Sequence, residues 1–177
     1  TSYGSVKTFT LSISTTTTTT TEEGTTTTTT TEPISCGVEV PYNGVFGYPN
    51  TKYITLGSGT GTVNLSYDAY SMPEWFLVYF NGSVVINTGY RGDSSYDYGG
   101  TYRYGMVNTL NGRTDPIFGT TYPDYANYPD DGYPRVTSPG SDTDSFYKAV
   151  SNTVARVDVY SGIDDITIWS FTLSCPQ

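Results

Sequence analysis

The sequence predicts an all-β protein: an antiparallel β-sandwich, jelly-roll-like, preceded by an N-terminal extended strand on a threonine-rich linker. Three observations support this fold class. Tyrosine, threonine and glycine are abundant while lysine and leucine are scarce, a composition that favours strands over helices. Short apolar segments with alternating polarity recur along the chain. Residues that form turns, above all Gly, Pro, Asn and Asp, separate these segments.

Residues 1–14 contain the first predicted strand. From residue 7 onward apolar and hydroxyl side chains alternate, which is the pattern of a half-buried strand. Its Phe-Thr-Leu-Ser at residues 9–12 recurs at residues 171–174, in the last predicted strand and in the same alternation. Because the chain has two copies of one closing strand and a single domain to close, we expect the first copy to serve a neighbouring subunit. The predicted polymerisation residues are Val6, Phe9, Leu11 and Ile13.

Two runs of seven threonines follow, separated by Glu-Glu-Gly. Such low-complexity sequence cannot form a core, so residues 15–35 are predicted to be a linker. Fully extended, residues 15–31 would reach about 55 Å, far enough to bring the strand to an adjacent subunit. Clustered threonines beside Glu and Pro are typical of O-glycosylated stalks, and an unmodified flexible linker is the alternative. The predicted O-glycosylation sites are Thr15, Thr16, Thr17, Thr18, Thr19, Thr20, Thr21, Thr25, Thr26, Thr27, Thr28, Thr29, Thr30 and Thr31.

The charge balance argues against several classes of partner. There are 17 acidic and 8 basic residues, a formal net charge of −9, and no basic cluster that would displace the counterions of a nucleic acid or an anionic membrane. No apolar run approaches the roughly 20 residues that span a bilayer, so we expect no membrane span. No signal peptide is visible, and a sequence that begins at Thr1 is expected to be a processed chain or a fragment.

Cys36 and Cys175 lie at the two ends of the predicted domain, residues 36–177. An even pair in a chain without histidine favours one disulfide formed outside the cytosol. The alternatives are two unpaired thiols or a bond to another subunit. The sequence thus predicts an extracellular protein.

Within the domain, strands are predicted at residues 38–40, 52–56, 62–70, 75–80, 83–88, 145–150, 154–160 and 166–175, with a short strand at residues 102–107. Turns are predicted at residues 41–44 and 47–50. Asn81-Gly82 joins two apolar runs and is the strongest hairpin signal in the chain. A two-residue turn there would pair Val78 with Val85 and Leu77 with Ile86. Both faces of this hairpin are bulky, so each needs cover, one from the second sheet and the other from loops or a neighbour.

Candidate chemistry is sparse. Without histidine the usual nucleophile–base pairs are absent, and neighbouring loop aspartates are more typical of solvated turns than of an acid/base pair, so we expect no enzyme and no catalytic residues. Asp142-Thr143-Asp144 offers carboxylates at alternate positions, a weak calcium signal, and no other cofactor is expected. Asn64 and Asn81 each begin an N-glycosylation sequon.

Residues 91–144 form a long segment rich in Gly, Tyr, Asp and Pro and without periodicity. A segment of this length in a compact domain is either functional or wraps the surface. Its tyrosines could stack on sugar rings, as in a lectin, or cap one end of the sandwich.

The segment VNLSYDAYSMPEWF at residues 63–76, with Asn81-Gly82 and NTGYRG at residues 87–92, resembles β-sandwich modules of environmental phage fibres and bacterial extracellular surface filaments. In that family the module commonly closes with a strand such as WSFTLSCP at residues 169–176. The resemblance covers residues 36–177 and implies an extracellular appendage or virion fibre built of repeated, often sugar-decorated domains.

Two functions follow as hypotheses. The first is a structural subunit of an extracellular glycosylated filament, a head-to-tail homopolymer in which the N-terminal strand of one copy joins the sheet of the next. The alternative is a carbohydrate-binding or adhesin module of a phage fibre, in which residues 1–14 end the preceding repeat of a tandem array.

Overall fold

The computed structural model describes residues 16–21, 24–29, 32–45, 47–97, 100–122, 134–163 and 167–177. For the threonine tracts and residues 103–104 the description is of the backbone alone. The predicted polymerisation residues, all within residues 1–14, lie outside the described residues, as do Thr15, Thr30 and Thr31.

The two threonine tracts pair with each other. Strand β1 (Thr16–Thr21) and strand β2 (Gly24–Thr29) form an antiparallel hairpin in which Thr16 lies opposite Thr29. The sequence predicts one extended linker here, whereas the observed pairing brings Thr16 and Thr29 together. The reach of about 55 Å therefore applies to the opened tether, and opening costs little because an isolated two-stranded hairpin is marginally stable in water.

The predicted sandwich is confirmed. Four strands form one sheet in the order β10-β6-β12-β4, and six form the other in the order β3-β5-β11-β7-β8-β9. The short edge strands β3 and β9 run parallel to their neighbours, and the other described pairs are antiparallel. The strands are β3 (Ile34–Ser35), β4 (Glu39–Gly44), β5 (Asn50–Thr55), β6 (Gly61–Asp68), β7 (Glu74–Phe80), β8 (Ser83–Arg91), β9 (Val136–Thr137), β10 (Ser141–Lys148), β11 (Val154–Ser161) and β12 (Thr167–Leu173).

The main core lies between the two sheets. Alternate residues of each strand supply it, as the period of two in a strand requires. In β6, for example, Val63 and Leu65 are fully buried, while the residues between them face outward. The aromatic centre of this core consists of Tyr67, Phe76, Trp169 and Phe171.

The hairpin of β7 and β8 confirms the turn and corrects its register. Asn81 and Gly82 both have positive φ, 50° and 79°, as a type I′ turn demands. The predicted pairing of Val78 with Val85 and Leu77 with Ile86 is wrong. A bulge on β8 inserts one extra residue, so that Val78 lies opposite Ile86 and Leu77 opposite Asn87.

The outer face of β7 is covered by a second core, as the bulk on both faces of the hairpin predicts. Trp75 and Leu77 pack there with residues of helix α1 (Arg103–Leu110). The predicted strand at residues 102–107 is wrong, because Met106, Val107 and Leu110 are buried at helical spacing. At eight residues α1 is short, and no helix in the described part of the chain has the length and apolar character to cross a membrane.

The predicted turn at residues 41–44 is also wrong, since those residues belong to strand β4. Pro41 is tolerated there because β4 is the last strand of its sheet, and an edge strand has one side on which a missing N–H costs no ladder bond. Proline and glycine in this segment thus mark an edge rather than a turn.

Candidate functional site

The strand whose sequence the N-terminal segment repeats is buried. Strand β12 lies between β6 and β4, and its Phe171 and Leu173 are each 1% exposed. Phe171 lies opposite Tyr67 on one side and Val40 on the other. The sequence Phe-Thr-Leu-Ser is therefore one that this fold places in the middle of a sheet, apolar side chains inward.

Strand β4 forms one edge of the same sheet. In the described part of the chain it pairs on one side only, with β12. Its core-facing residues are apolar: Val40 is buried, and Tyr42 is half-buried against the main core. Two exposed valines flank the strand, Val38 at 46% and Val45 at 76% exposure. Lys52 of the facing strand β5 lies 5.6 Å from the centre of the Tyr42 ring.

Strand β10 forms the opposite edge, and three of its four core-facing residues are charged, the fourth being Phe146 of the main core. Asp142 and Asp144 lie opposite Tyr67 and Leu65, which point into the core, so both carboxylates belong to that side. Lys148, fully buried at the end of the strand, completes the set. Inward charges on an edge strand discourage pairing with another chain.

The buried ammonium group of Lys148 is held by backbone carbonyls. Its Nζ donates to the carbonyl of Gly59 at 2.5 Å and to that of Val150 at 2.8 Å, and it lies 5.7 Å from the centre of the Phe80 ring. These contacts compensate for the removal of the charge from water. They also fasten the end of β10 to two loops.

The predicted calcium ligands lie on one face, but they have other contacts. Asp142 approaches Arg91 at 3.8 Å, and its other carboxylate oxygen accepts from the N–H of Thr143 at 2.8 Å. Among the described residues no group of three or more His, Cys, Asp or Glu side chains lies close enough to hold a metal ion. Calcium at Asp142 and Asp144 stays a prediction.

Cys36 and Cys175 form a disulfide, with their Cα atoms 5.0 Å apart. The bond joins the crossing between β3 and β4 to the segment after β12. The backbone supports the same junction, since the N–H of Gly37 donates to the carbonyl of Leu173 at 2.8 Å. The disulfide thus fixes the end of the sheet at which edge strand β4 begins.

The two sequons lie on the surface. Asn64 is half-buried in β6, next to the fully buried Leu65, and thus faces away from the core. Asn81 is exposed at the tip of the β7–β8 hairpin, where its carbonyl oxygen accepts from Asn152 at 2.5 Å. N-glycosylation at both positions stays a prediction.

A cleft of about 640 Å³ opens at the loop end of the second core. Tyr48 and Tyr160 form its aromatic wall, with ring centres 5.0 Å apart in an edge-to-face arrangement. The guanidinium of Arg113 lies 5.2 Å from the centre of the Tyr48 ring, and the Tyr48 hydroxyl donates to the carbonyl of Thr114 at 3.1 Å. The residues that line the cleft are Tyr48, Gly112, Arg113, Thr114, Asp115, Pro116, Gly119 and Tyr160.

Asp115 organises the loop beside this cleft. Its Oδ1 accepts from the N–H groups of Ile117 and Phe118, both at 2.8 Å, and its Oδ2 accepts from the hydroxyl of Tyr122 at 2.8 Å. As a result the ring of Phe118 is presented to solvent, 79% exposed. Burial raises the pKa of Tyr48 and of Tyr122, and the hydrogen bond to Asp115 raises that of Tyr122 further, so both phenols remain protonated in neutral solution. Sequence reasoning missed this cleft because its residues come from three distant segments.

Glu74 is a second group that the sequence did not reveal. It is fully buried at the start of β7, opposite Ser161 on β11, and it accepts a hydrogen bond from the hydroxyl of Thr167. Burial raises the pKa of its carboxyl group to about 8, although the hydroxyls of Thr167 and Ser161 oppose the shift. Glu74 is therefore a neutral carboxylic acid at pH 7, and its carboxyl group is hydrogen-bonded to Thr167 inside the protein.

Comparisons with known proteins identify no family. No family model matches the chain, and no curated protein matches it significantly. Among solved structures, one that resembles it is CorA of Methylomicrobium album BG8, described as a surface-associated copper-binding protein important in copper acquisition. The identity is 12% and the TM-score 0.34, over 81% of this chain and 98% of that one. A likeness at this level carries no conclusion about what this chain does.

Proposed function

We propose that the protein is a structural subunit of an extracellular, glycosylated filament that grows head-to-tail. In each contact, the N-terminal strand of one copy adds to a sheet of the next copy. The observation that carries the proposal is the repetition of the Phe-Thr-Leu-Ser of β12 at residues 9–12. In β12 the two apolar residues of this sequence, Phe171 and Leu173, are each 1% exposed.

The second copy of the strand needs another place to bind. The position between β6 and β4 is occupied by β12 of the same chain. Burying Phe9, Leu11 and Ile13 against a neighbour would contribute roughly 1.5–3 kcal/mol each, in addition to main-chain hydrogen bonds. A head-to-tail contact of this kind does not close on itself, so it propagates as a fibre.

The disulfide between Cys36 and Cys175 supports an extracellular location, because such bonds persist in oxidising compartments. The threonine tracts support glycosylation, since hydroxyl-rich tethers beside Glu and Pro are typical of O-glycosylated stalks. Intact-mass spectrometry of the native protein should show more than the 19.3 kDa of the polypeptide. A native mass equal to that of the polypeptide would remove the glycans from this proposal.

The proposal is tested with two double variants that introduce the same charge on opposite faces of the N-terminal strand. Phe9→Asp with Leu11→Asp places two carboxylates on the apolar face and should abolish filaments while the domain stays folded. Thr8→Asp with Thr10→Asp is the matched control on the polar face and should still polymerise. Electron microscopy and circular dichroism measure the two properties. Normal filaments from the first variant would refute strand addition.

The tyrosine cleft favours a second candidate function, a carbohydrate-binding module. Phe118 has an exposed ring in the loop between Pro116 and Gly119, two residues that line the cleft, and the protonated phenol of Tyr48 and the guanidinium of Arg113 line it as well. Aromatic rings next to polar groups are the usual means of recognising sugars. Phe118→Ser should then abolish binding to a glycan array, whereas Tyr147→Ser, at an exposed tyrosine on β10, should leave it intact. If the wild-type protein bound no glycan on the array, this candidate function would be excluded.

A further inference from the structure

We infer that the N-terminal strand docks along β4 of a second copy, antiparallel to it, with Leu11 opposite Val40. This inference rests on the proposed function and names the surface that receives the strand. It extends the four-stranded sheet to β10-β6-β12-β4 followed by the strand of the neighbour.

Edge length limits the choice of surface. In the described part of the chain the six-stranded sheet ends in β3 and β9, each of two residues, which leave residues 50–53 of β5 and residues 83–89 of β8 without a neighbour on that side. Four residues of β5 are too few to template residues 6–13. The free length of β8 is irregular, because its pairing with β7 shifts register twice, and bulges of this kind disfavour pairing with another chain. The four-stranded sheet ends in β4, with six residues, and β10, with eight. The receiving edge is therefore one of these two.

The chemistry of the two edges separates them. A strand added beside β10 would place Phe9, Leu11 and Ile13 next to Asp142 and Asp144, on the side where those carboxylates lie. Burying either carboxylate under an apolar side chain would cost free energy, because a charged group loses its water. The ion pair of Asp142 with Arg91 would also lose its solvent. Edge β10 is thus protected against an apolar strand.

Edge β4 offers matching apolar surface. Val40 and Tyr42 face the core, and the ammonium of Lys52, on the facing strand β5, lies over the Tyr42 ring. Its methylene stem would pack on an incoming aromatic ring while the charge stays at the rim. Among the described residues only Ile54 and Thr55 of β5 pair with another strand, β3, on this side of the six-stranded sheet.

The register follows from the alternation of both strands. All described pairs in the four-stranded sheet are antiparallel, and the added strand continues that pattern. With Leu11 opposite Val40, Phe9 lies opposite Tyr42 and Ile13 opposite the exposed Val38, so three apolar residues meet three. The hydroxyl residues of the N-terminal strand then face outward, and Thr8 lies opposite Asn43. Pro41 lacks an N–H and removes at most one ladder bond.

Cysteine cross-linking in filaments of the full chain tests this placement. Thr8→Cys is combined with Asn43→Cys on β4, or with Ser145→Cys on β10 as the matched control. Both acceptor residues are exposed, so neither change disturbs the core. After mild oxidation, the pair with Asn43→Cys should lose its monomer band to a ladder of covalent oligomers on a non-reducing gel. The pair with Ser145→Cys should remain monomeric.

Each other outcome overturns the inference in a distinct way. A ladder from the Ser145→Cys pair would place the strand on β10. Filaments that form without a cross-link from either pair would exclude β4 and leave the proposed function intact. A cross-link within single chains at Asn43→Cys, without filaments, would show that the strand docks on its own domain. That last result would refute both the second copy as the partner and the filament itself.

Discussion

Tyr42 of edge strand β4 stacks on Trp169 of β12, with ring centres 4.8 Å apart and an angle of 13° between the ring planes. Trp169 is fully buried and also stacks on Phe171, with ring centres 5.9 Å apart. The aromatic rings therefore connect the edge of the sheet to the middle of the core. The edge strand that we propose to receive the neighbouring strand is thus packed against the main core through Tyr42.

The stack predicts a graded effect on stability. Trp169→Ala should lower the free energy of unfolding by about 3–5 kcal/mol, because it removes a fully buried aromatic side chain. Tyr42→Ala should cost less, since the residue is half-buried at an edge. Tyr53→Ala, at a residue 48% exposed on β5, is the control and should stay within about 0.5 kcal/mol of wild type. Urea denaturation measures all three, and equal losses at Trp169 and Tyr53 would contradict the packing described.

Glu74 predicts that stability falls as the pH rises. Its pKa is about 8 in the fold against an ordinary value of 4.5, so between these values the folded protein keeps a proton that the unfolded chain releases. Stability is full below about pH 4.5, declines up to about pH 8 and is level above it. Glu74→Gln should remove this decline. The free energy of unfolding of the variant minus that of wild type should therefore be more favourable at pH 9 than at pH 4, by up to about 5 kcal/mol.

The measurement for Glu74 is the difference in unfolding free energy between variant and wild type across pH 4 to 9, because other carboxylates titrate in both proteins and cancel. Glu39→Gln, at an exposed glutamate on β4, is the matched control for the removal of one carboxyl group. A variant of Glu74 that behaves like this control would show that the carboxyl group is hydrated in the folded protein.

Local signals in the sequence predicted most of the strands. Alternation located β6, and Asn81-Gly82 located the turn of the β7–β8 hairpin, because two successive positive φ angles need those residue types. The register beyond the turn could not be predicted from the sequence, since the bulge on β8 depends on which side chains of β8 pack against the four-stranded sheet. The bulge directs Ile86 into the main core beside Val78.

The errors arise where tertiary contacts override local preference. Residues 102–107 read as a strand, but the second core offers a groove that a helix fills with Met106 and Leu110. A signal for this helix existed in Asn111-Gly112, because a glycine with positive φ, here 73°, commonly follows the last helical turn. The tyrosine cleft had no such local signal, since its residues meet only in the folded chain.

Lys148 predicts a specific cost for removing one buried charge. Lys148→Met keeps most of the stem but leaves the carbonyls of Gly59 and Val150 without their donor. The free energy of unfolding should fall by about 1–3 kcal/mol. The matched control is Lys52→Met, which removes a charge at the half-buried rim of the other edge and should cost less than about 1 kcal/mol. A Lys148→Met variant as stable as this control would mean that water replaces the ammonium at both carbonyls.

The disulfide predicts a large loss of stability on its removal. Cys36→Ser with Cys175→Ser opens a loop that spans 139 residues in sequence, for which the chain-entropy model gives roughly 5 kcal/mol. The folded domain should persist at low temperature, because the hydrogen bond from Gly37 to Leu173 and the main core remain. Thermal unfolding of the double variant should therefore begin well below that of the oxidised protein and coincide with that of the reduced wild type. If reduction left the unfolding temperature unchanged, the junction between β4 and β12 would be held by the backbone alone.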